Sequence, residues 1–210
     1  MKLHLFPPSP NARKVLLVKH HLGLECEVVV VDLQAGDQRA PEFVDRNPNG
    51  LMPVLEDDDG FVLWESNAIL QHLCTRVPGQ TLWPRDDREQ ADVLRWLFWQ
   101  TAHWGPACGG LTFERMTKHF LELGAPDEKR VAECLANFAK YAGVLDGHLA
   151  DREWVTGELS LADFAIGSML TYRGPASIPV EDHPNVNAWF ERLRSIPAWE
   201  ATRPGIPGAA

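Results

Sequence analysis

The stretch that decides the fold is NPNGLMPVLEDDDGFVLWESNAIL, which occupies residues 47 to 70. Two short apolar runs, MPVLE and FVLWE, lie on either side of an acidic turn that ends at Gly60, and this pattern predicts two short strands. The segment SNAILQHLCTRV begins with a serine that can cap a helix, and it ends before Pro78 and Gly79. These residues therefore predict a strand, a turn, a strand and a helix.

The residues before this stretch predict a strand, a helix and a second strand. KLHLF alternates and ends at prolines, PNARKVLLVKHHLG has a helical pattern that closes at Gly23, and ECEVVVVDL is a β-branched run. A loop or short helix that carries GDQRAPEF connects this strand to the deciding stretch. Residues 1–79 therefore predict a mixed α/β N-terminal domain.

From about Asp86 onward the pattern becomes helical. One apolar face recurs at steps of three and four residues, formed by Val131, Leu135, Phe138, Ala142, Leu145 and Leu149. REQADVLRWLFWQTAHW, SLADFAIGSMLTY and NVNAWFERLRSI also have helical patterns, and no strand pattern interrupts them. We expect an all-α C-terminal domain over residues 86–203, joined to the first near PGQTLWPRD, and a tail over residues 204–210.

Composition narrows the function class. A formal charge of -9 on 210 residues argues against general nucleic-acid binding, which needs a basic surface. No apolar run approaches the length of a membrane span and no secretory leader is apparent, so we expect no membrane association and a cytoplasmic location. The four cysteines are widely spaced and form no C-x-x-C pair, so neither metal binding nor dithiol chemistry is expected.

Three motifs together carry a family resemblance. NPNG-x-x-P-x-L followed by ESNAIL, and GELSLADFAIG in the second half, resemble the cytosolic glutathione transferase family in order and spacing. The resemblance implies a thioredoxin-like N-terminal domain that binds glutathione as a co-substrate, a helical domain with an electrophile pocket, no metal, and a homodimer. It implies an enzyme that adds glutathione to a small apolar electrophile or uses it to reduce a disulfide. A non-catalytic scaffold or stress protein of the same fold, acting through protein contacts, is the alternative.

Four residues of the deciding stretch have chemistry that suits glutathione. A proline that opens a strand, as Pro53 does after Met52, can hold a cis peptide bond that leaves the preceding N–H and C=O free to pair with an extended peptide. In the family this peptide is the cysteinyl unit of glutathione. Glu65 and Ser66 lie where a strand ends and a helix begins, so backbone donors favour an anion and the carboxylate favours an ammonium. They predict a site for the γ-glutamyl end.

The segment SPNARK places Ser9 and Asn11 at the start of the first predicted helix. Ser9 before Pro10 is a good N-cap, and its hydroxyl can also donate to a thiolate. The thiolate is the nucleophile, and lowering a thiol pKa of about 8.5 by roughly two units requires about 2.7 kcal/mol. A hydrogen bond to a charged group contributes about 1.5 to 3 kcal/mol. Ser9 and Asn11 are both candidates for thiol activation.

The same segment bears on the subclass. It resembles the Thr-Pro-Asn segment of the bacterial nu class as much as the serine segments of theta-like enzymes. The nu-class resemblance implies that Asn11 lies near the sulfur, that Gln38 in GDQRAPEF contacts glutathione, and that Arg130 reaches glutathione in the partner subunit. Leu51 replaces a lysine or glutamine that is common in the family, which removes a polar contact.

The segment WLFWQTAHWGP, residues 96 to 106, lies on the first long helix of the second domain. The resemblance implies that this helix faces the glutathione sulfur, and the candidates for the electrophile pocket are Trp99, His103 and Phe113. Trp96 and Trp104 are assigned to the core or an interface. Ser160 and Asp163 have the spacing of a capping box, with Asp in place of the usual Glu or Gln, and their expected role is structural.

Overall fold

The computed structural model describes residues 1–206 of the chain, which divides after Gln80 into two units. The first unit ends one residue beyond the range expected for the N-terminal domain, and the second begins at Thr81. Of the expected tail, residues 207–210 lie outside the described part of the chain. The first unit has α/β structure and the described part of the second is helical except for an isolated bridge between Thr156 and Glu158, which confirms the predicted fold class.

The first unit has its elements in the predicted order, and all of its residues are described. The strands are β1 (Lys2–Leu5), β2 (Glu27–Val30), β3 (Val54–Glu56) and β4 (Val62–Trp64). The α-helices are α1 (Pro10–His21), α2 (Pro41–Val44) and α3 (Ser66–Thr75). A 3-10 helix spans Asp37–Arg39 in the loop that carries GDQRAPEF.

The four strands form one mixed sheet in the order β2-β1-β3-β4. β1 and β2 are parallel, so the chain crosses between them through α1, whereas β3 pairs antiparallel with both β1 and β4. Leu3, Leu5 and Leu55 of the two central strands are fully buried, as are Val15 of α1 and Leu70 of α3. This core fixes the starts of α1 and α3, which carry most of the predicted site residues.

The second unit contains seven α-helices within its described residues. They are α4 (Asp87–Trp99), α5 (Gly105–Thr112), α6 (Lys118–Phe120), α7 (Glu128–His148), α8 (Leu161–Ser168), α9 (Pro184–Arg194) and α10 (Pro197–Ala201). A 3-10 helix, Val180–Asp182, precedes α9. Nowhere in residues 1–206 is there a helix with the length and apolarity needed to cross a membrane.

The first long helix of the second unit departs from the plain α-helix that its sequence predicts. Two π-helical segments, Gln100–Trp104 and Phe113–Thr117, separate α4 from α5 and α5 from α6. Pro106, in the first turn of α5, has no N–H to donate to the carbonyl four residues before it, so the α-helical ladder is interrupted there. Nothing in the local sequence explains the second π segment.

The start of α8 is closed by a buried capping box, as predicted. Oδ2 of Asp163 accepts from the N–H of Ser160 at 2.9 Å and from its hydroxyl at 3.1 Å. Oδ1 accepts from the N–H of Val155 at 2.9 Å and from Nε1 of Trp189 at 2.8 Å. Burial raises the pKa of Asp163, and these hydrogen bonds oppose the rise. The carboxylate therefore joins α8, α9 and the preceding loop, and its predicted structural role is confirmed.

Two tryptophans of the second unit lie in its core. Trp104 is fully buried, and its Nε1 donates to the carbonyl of Ile166 at 3.0 Å. Trp96 is 6% exposed and packs on His148 with ring centroids 4.6 Å apart. Of the two places predicted for these tryptophans, the core or an interface, both lie in the core.

Candidate functional site

A pocket of about 90 Å³ lies in the first unit, where the start of α1, the loop before β3 and the start of α3 meet. It is lined by Asn11, Asn47, Asn49, Leu51, Met52, Pro53, Glu65 and Ser66. Seven predicted site residues belong to this unit, and five of them are in this lining. Ser9 and Gln38 are the two that are not. The structure thus brings together the predicted peptide-binding backbone and the predicted γ-glutamyl site.

The peptide bond between Met52 and Pro53 is cis. Within residues 1–206, neither the backbone N–H nor the C=O of Met52 has a hydrogen-bond partner. Val54, which follows Pro53, begins β3 and pairs with both neighbouring strands. A half-buried donor and acceptor side by side are suited to pair with an extended peptide, because unpaired backbone groups are costly when they lose water.

Glu65 and Ser66 form the turn from β4 into α3. Glu65 is exposed and has φ 68° and ψ 107°, a region that residues other than glycine seldom occupy. It occupies the N-cap position of α3, but its side chain accepts no hydrogen bond from the helix. Ser66 is buried, and its hydroxyl has no hydrogen bond within residues 1–206. The first turn of α3 therefore presents backbone donors and a hydroxyl to the pocket, beside a carboxylate.

The loop before β3 is shaped by an asparagine whose role the sequence argument missed. Asn47 is buried, and its Nδ2 donates to the carbonyl of Leu51 at 2.6 Å. Its Oδ1 accepts from the backbone N–H of Asn49 at 3.1 Å and from Nδ2 of Asn49 at 2.9 Å. The NPNG spacing carried this signal, since asparagine side chains stabilise turns in this way. Leu51 is 63% exposed and lines the pocket with an apolar side chain.

Ser9 and Asn11 have different surroundings at the start of α1. Ser9 is at the N-cap position with extended backbone, and Pro10 follows in the first turn. The expected capping bond is absent, because the Ser9 hydroxyl accepts no hydrogen bond from the helix and has no other partner in the described chain. Asn11 is exposed and lines the pocket. The Ser9 hydroxyl is thus free of the capping role, while Asn11 is the one of the two that lines the pocket.

Gln38 lies in the 3-10 helix and carries a buried amide oxygen. Its Oε1 has no hydrogen-bond partner among the described residues. The backbone carbonyl of Gln38 lies 3.2 Å from the position that a Cβ on Gly50 would occupy, so the two loops approach closely. Gly50 also has φ 60°, so a side chain there would be both crowded and strained. A buried acceptor without a partner is expected to receive a donor from a ligand or water.

A buried lysine of α1 contacts the start of α3, and the sequence argument did not identify it. Lys14 is 2% exposed, and its Nζ donates to Oδ1 of Asn67 at 2.7 Å. Burial lowers the pKa of Lys14 to about 7, and the carboxylate of Glu65 acts in the opposite direction. The sequence signal for its burial was the position of Lys14 between Arg13 and Val15, which are both buried in the first helix.

Two of the three electrophile-pocket candidates belong to one aromatic cluster of the second unit. His103 is exposed and stacks on Tyr141 at 4.9 Å between ring centroids, with 23° between the planes. Trp99 meets the edge of Tyr141 at 6.2 Å and stacks on Trp104 at 5.7 Å. Phe113 has no ring contact with this cluster and is 43% exposed, with Nζ of Lys118 5.9 Å above its ring. Tyr141 is a member that the sequence argument missed.

Arg130 lies in the first turn of α7 and is exposed. Its NH1 donates to Oε2 of Glu133 at 3.2 Å, and its backbone N–H donates to Oδ1 of Asp127 at 3.2 Å. The side chain therefore forms an exposed ion pair within its own helix. Such pairs contribute little to stability, about 0.2 to 1 kcal/mol.

The protein's thiols are not part of the pocket. All four cysteines are free, and Cys74, Cys108 and Cys134 are buried. Burial raises the pKa of Cys74 to about 12, and burial also raises the pKa of the Cys108 thiol well above its usual value. These thiols are poor nucleophiles at neutral pH, because the thiolate is the reactive form. The described residues contain no cluster of three or more histidine, cysteine or acidic side chains that is able to hold a metal.

The sequence matches two domain models. The model of the glutathione S-transferase N-terminal domain matches residues 8–76, and the model of the glutathione S-transferase C-terminal domain matches residues 106–197. The first match includes every residue of the pocket lining, from Asn11 to Ser66.

Full-length relatives and solved structures resemble the chain. Glutathione S-transferase 3 of Zea mays is 33% identical over 99% of this chain and 95% of that protein. FtsZ-localized protein A of Caulobacter vibrioides is also 33% identical, over 99% of this chain and 94% of that protein. A glutathione transferase family member from Pseudomonas fluorescens Pf-5, solved with two glutathione bound, has a TM-score of 0.85 and 26% identity, with 96% of this chain and 91% of that chain covered.

Proposed function

The chain belongs to the glutathione S-transferase family, and from this premise we infer that it is a glutathione transferase that activates the thiol of glutathione bound in the first unit. The observation that carries the inference is the pocket at the start of α3. There the unpaired backbone of Met52 adjoins the Glu65 carboxylate and the hydroxyl of Ser66. An extended peptide with an ammonium and a carboxylate at one end matches these groups.

Each part of glutathione has a proposed partner in the pocket. The backbone of Met52, ahead of Pro53, pairs with the cysteinyl unit in the manner of a short strand. Ser66 and the first amides of α3 bind the γ-glutamyl carboxylate, since a helix N-terminus favours an anion. Glu65 binds the γ-glutamyl ammonium. Gln38, which lies outside the pocket lining, is a further proposed contact, because its buried amide oxygen has no partner among the described residues.

The start of α1 is the proposed site of thiol activation. Ser9 and Asn11 each have a side chain that is able to donate a hydrogen bond, and neither has a partner in the described chain. One donor to the thiolate contributes about 1.5 to 3 kcal/mol, and the start of the helix adds up to about 1 kcal/mol. The sum is sufficient to lower the thiol pKa by roughly two units, which makes the thiolate abundant at neutral pH.

An apolar electrophile is the proposed second substrate. Trp99 and His103, with Tyr141, provide a partly exposed aromatic surface on the second unit, and Phe113 provides a separate exposed ring. In conjugation, the thiolate attacks the electrophilic carbon and the leaving group departs with the electron pair. Aromatic side chains suit planar apolar acceptors, because they bury large surfaces without unpaired polar groups.

Reduction of small disulfides is a second proposed activity, and it requires two molecules of glutathione. The first thiolate attacks the disulfide, forms a mixed disulfide and releases one thiolate. The second attacks the mixed disulfide, which yields oxidised glutathione and the other thiolate. The raised pKa values of the buried protein thiols make them poor second nucleophiles. The Pseudomonas neighbour was solved with two glutathione bound, and we propose that this chain likewise accepts a pair.

The assembly and location are proposed from the family to which the chain belongs. We propose a homodimer in the cytoplasm, in which Arg130 reaches the glutathione of the partner subunit. Four free cysteines are consistent with a reducing compartment. A non-catalytic scaffold is not favoured, because the groups proposed to bind glutathione are present together in the pocket.

Binding and turnover test the proposal. We expect the purified protein to be retained on immobilised glutathione, to conjugate a chlorinated aromatic acceptor and to reduce a small alkyl disulfide. The disulfide-reductase rate is expected to depend on two molecules of glutathione and to persist when all four cysteines are replaced by serine. Loss of that activity in the cysteine-free protein would exclude the two-glutathione mechanism. Failure to bind glutathione, with no turnover of either substrate, would instead support the scaffold.

A further inference from the structure

Lys14 is an internal cation at the contact between α1 and α3, next to the proposed γ-glutamyl site. Its Nζ donates to Asn67 at 2.7 Å, and the carboxylate of Glu65 is the charged group that faces it from the start of α3. Asn67 follows Ser66 directly in α3. The lysine thus donates to the residue after Ser66 and interacts electrostatically with the residue before it.

The turn into α3 is not capped by its own N-cap residue. The side chain of Glu65 accepts no hydrogen bond from the helix, and Glu65 has a left-handed φ of 68° without being glycine. Such a conformation persists when surrounding contacts impose it, and it is found at ligand sites. The hydrogen bond from Lys14 and its charge are contacts of this kind.

Packing alone does not explain a lysine at this position. Burial lowers its pKa to about 7, so between that pH and the lysine's usual value of about 10.4 the unfolded chain binds more protons than the folded one. The lysine therefore costs stability, the whole cost is present below pH 7, and it is relieved as pH rises toward 10.4. An apolar side chain of similar length, such as methionine, would remove this cost.

We propose that the Lys14 ammonium is a positioning residue for glutathione, which holds Asn67 and the Glu65 carboxylate so that the turn into α3 keeps its binding geometry. The inference rests on the proposed function. It makes the protonated lysine a requirement for tight binding of the γ-glutamyl end. Affinity should accordingly decline as pH rises through about 7, where the ammonium loses its proton.

The test compares binding and stability in matched variants. The probe is S-methylglutathione, which has no thiol to titrate, measured by calorimetry between about pH 5.5 and 8.5. Lys14→Met is expected to raise Kd at least about fivefold at pH 6, the effect of one lost hydrogen bond, and to raise the melting temperature. Asn67→Ala is expected to weaken binding similarly. The double variant should bind only slightly more weakly than either single variant, because both changes remove the same hydrogen bond. Lys19→Met, at the other end of α1, is the control and should change neither.

The outcomes separate this inference from the proposed function. Support requires a wild-type Kd that rises above pH 7 and a Lys14→Met Kd that is high and independent of pH. A Lys14→Met protein that binds normally, or that melts at a lower temperature with unchanged Kd, would show a purely structural lysine and overturn the inference alone. A wild-type Kd that is constant through pH 7 would overturn the role of the charge. No binding by the wild type at any pH would overturn the proposed function and this inference with it.

Discussion

Four helices of the second unit, α4, α7, α8 and α9, begin differently from the two longer helices of the first. Asp86 accepts hydrogen bonds from two backbone amides of α4, at 2.9 and 3.1 Å, and Asp127 does the same for α7 at 3.0 and 3.2 Å. Asp146, from α7, accepts from two amides at the start of α9 at 2.8 and 3.1 Å. In the first unit, neither Ser9 before α1 nor Glu65 before α3 caps its helix with its side chain.

The two units use the unpaired amides at the starts of their helices for different purposes. The first amides of any α-helix have no acceptor within the helix, and a side-chain cap at that position contributes typically about 1 kcal/mol. At α4, α7 and α9 the second unit uses its own carboxylates as those acceptors, and these caps add stability. The first unit leaves its two longer helices without such caps, and both begin beside the same pocket. We therefore attribute the uncapped starts to an anionic ligand that completes them.

The largest expected effect concerns the capped helices of the second unit. Asp163→Ala removes an acceptor of four buried hydrogen bonds at the start of α8. We expect the free energy of unfolding to fall by about 3 kcal/mol or more, because buried donors lose their partner. Chemical denaturation measures this loss. The exposed cap is the matched comparison, and Asp127→Ala should cost only about 1 kcal/mol. Equal losses would show that burial of the Asp163 network adds nothing.

The next prediction tests the uncapped start of α3. Glu65→Ala should weaken glutathione binding by about 1.5 to 3 kcal/mol, roughly tenfold to 150-fold in Kd, because a charged hydrogen bond is lost. The pKa of the bound thiol should barely change, since Ser9 and Asn11, and not Glu65, are the proposed contacts of the thiol. Calorimetry of the folded variant gives the affinity. An unchanged Kd would mean that the γ-glutamyl end binds elsewhere.

Thiol activation gives a smaller effect. The double change Ser9→Ala with Asn11→Ala should raise the pKa of the bound thiol and reduce conjugation at neutral pH by about tenfold or more. Each single change should do less. An N-cap serine that bonds its helix usually contributes about 1 kcal/mol, but the Ser9 hydroxyl makes no such bond, so Ser9→Ala should leave stability nearly unchanged. Absorbance of the bound thiolate against pH checks the pKa, and an unaltered titration would exclude both residues.

The smallest effect concerns Arg130. As an exposed partner of Glu133, it should contribute less than about 1 kcal/mol to stability, so Arg130→Ala should unfold almost like the wild type. Its proposed contact with glutathione requires a dimer, and sedimentation at micromolar concentration tests that requirement. A monomer would remove the role that we propose for Arg130 across the interface.

Local sequence signals predicted much of this arrangement. The element order followed from apolar periodicity and turn residues, and the capping box at Ser160 followed from spacing alone. The Glu65 and Ser66 pair was found because it sits at a strand-to-helix boundary, which is also local. The family resemblance, now confirmed by the comparisons, supplied the glutathione assignment that periodicity does not give.

Other features depend on tertiary contacts that the sequence does not encode locally. Whether Ser9 caps its helix depends on a side-chain rotamer, and the expected bond is not made. Lys14 resembles any lysine on a helix until its burial against α3 is known. Tyr141 joins Trp99 and His103 across two helices that are far apart in sequence. Lys14 and Tyr141 could not be identified from local sequence, because each depends on a neighbour that is distant along the chain.

Amide hydrogen exchange with and without glutathione is the most direct test of the central claim that a ligand completes the uncapped helix starts. We expect glutathione to protect the amides of Asn11 and Ala12 in α1 and of Ser66 and Asn67 in α3. The amides that already donate hydrogen bonds to Asp86 and Asp127 should exchange at an unchanged rate. Protection that is absent from the start of α3, or that is equal at the capped helices of the second unit, would contradict the account.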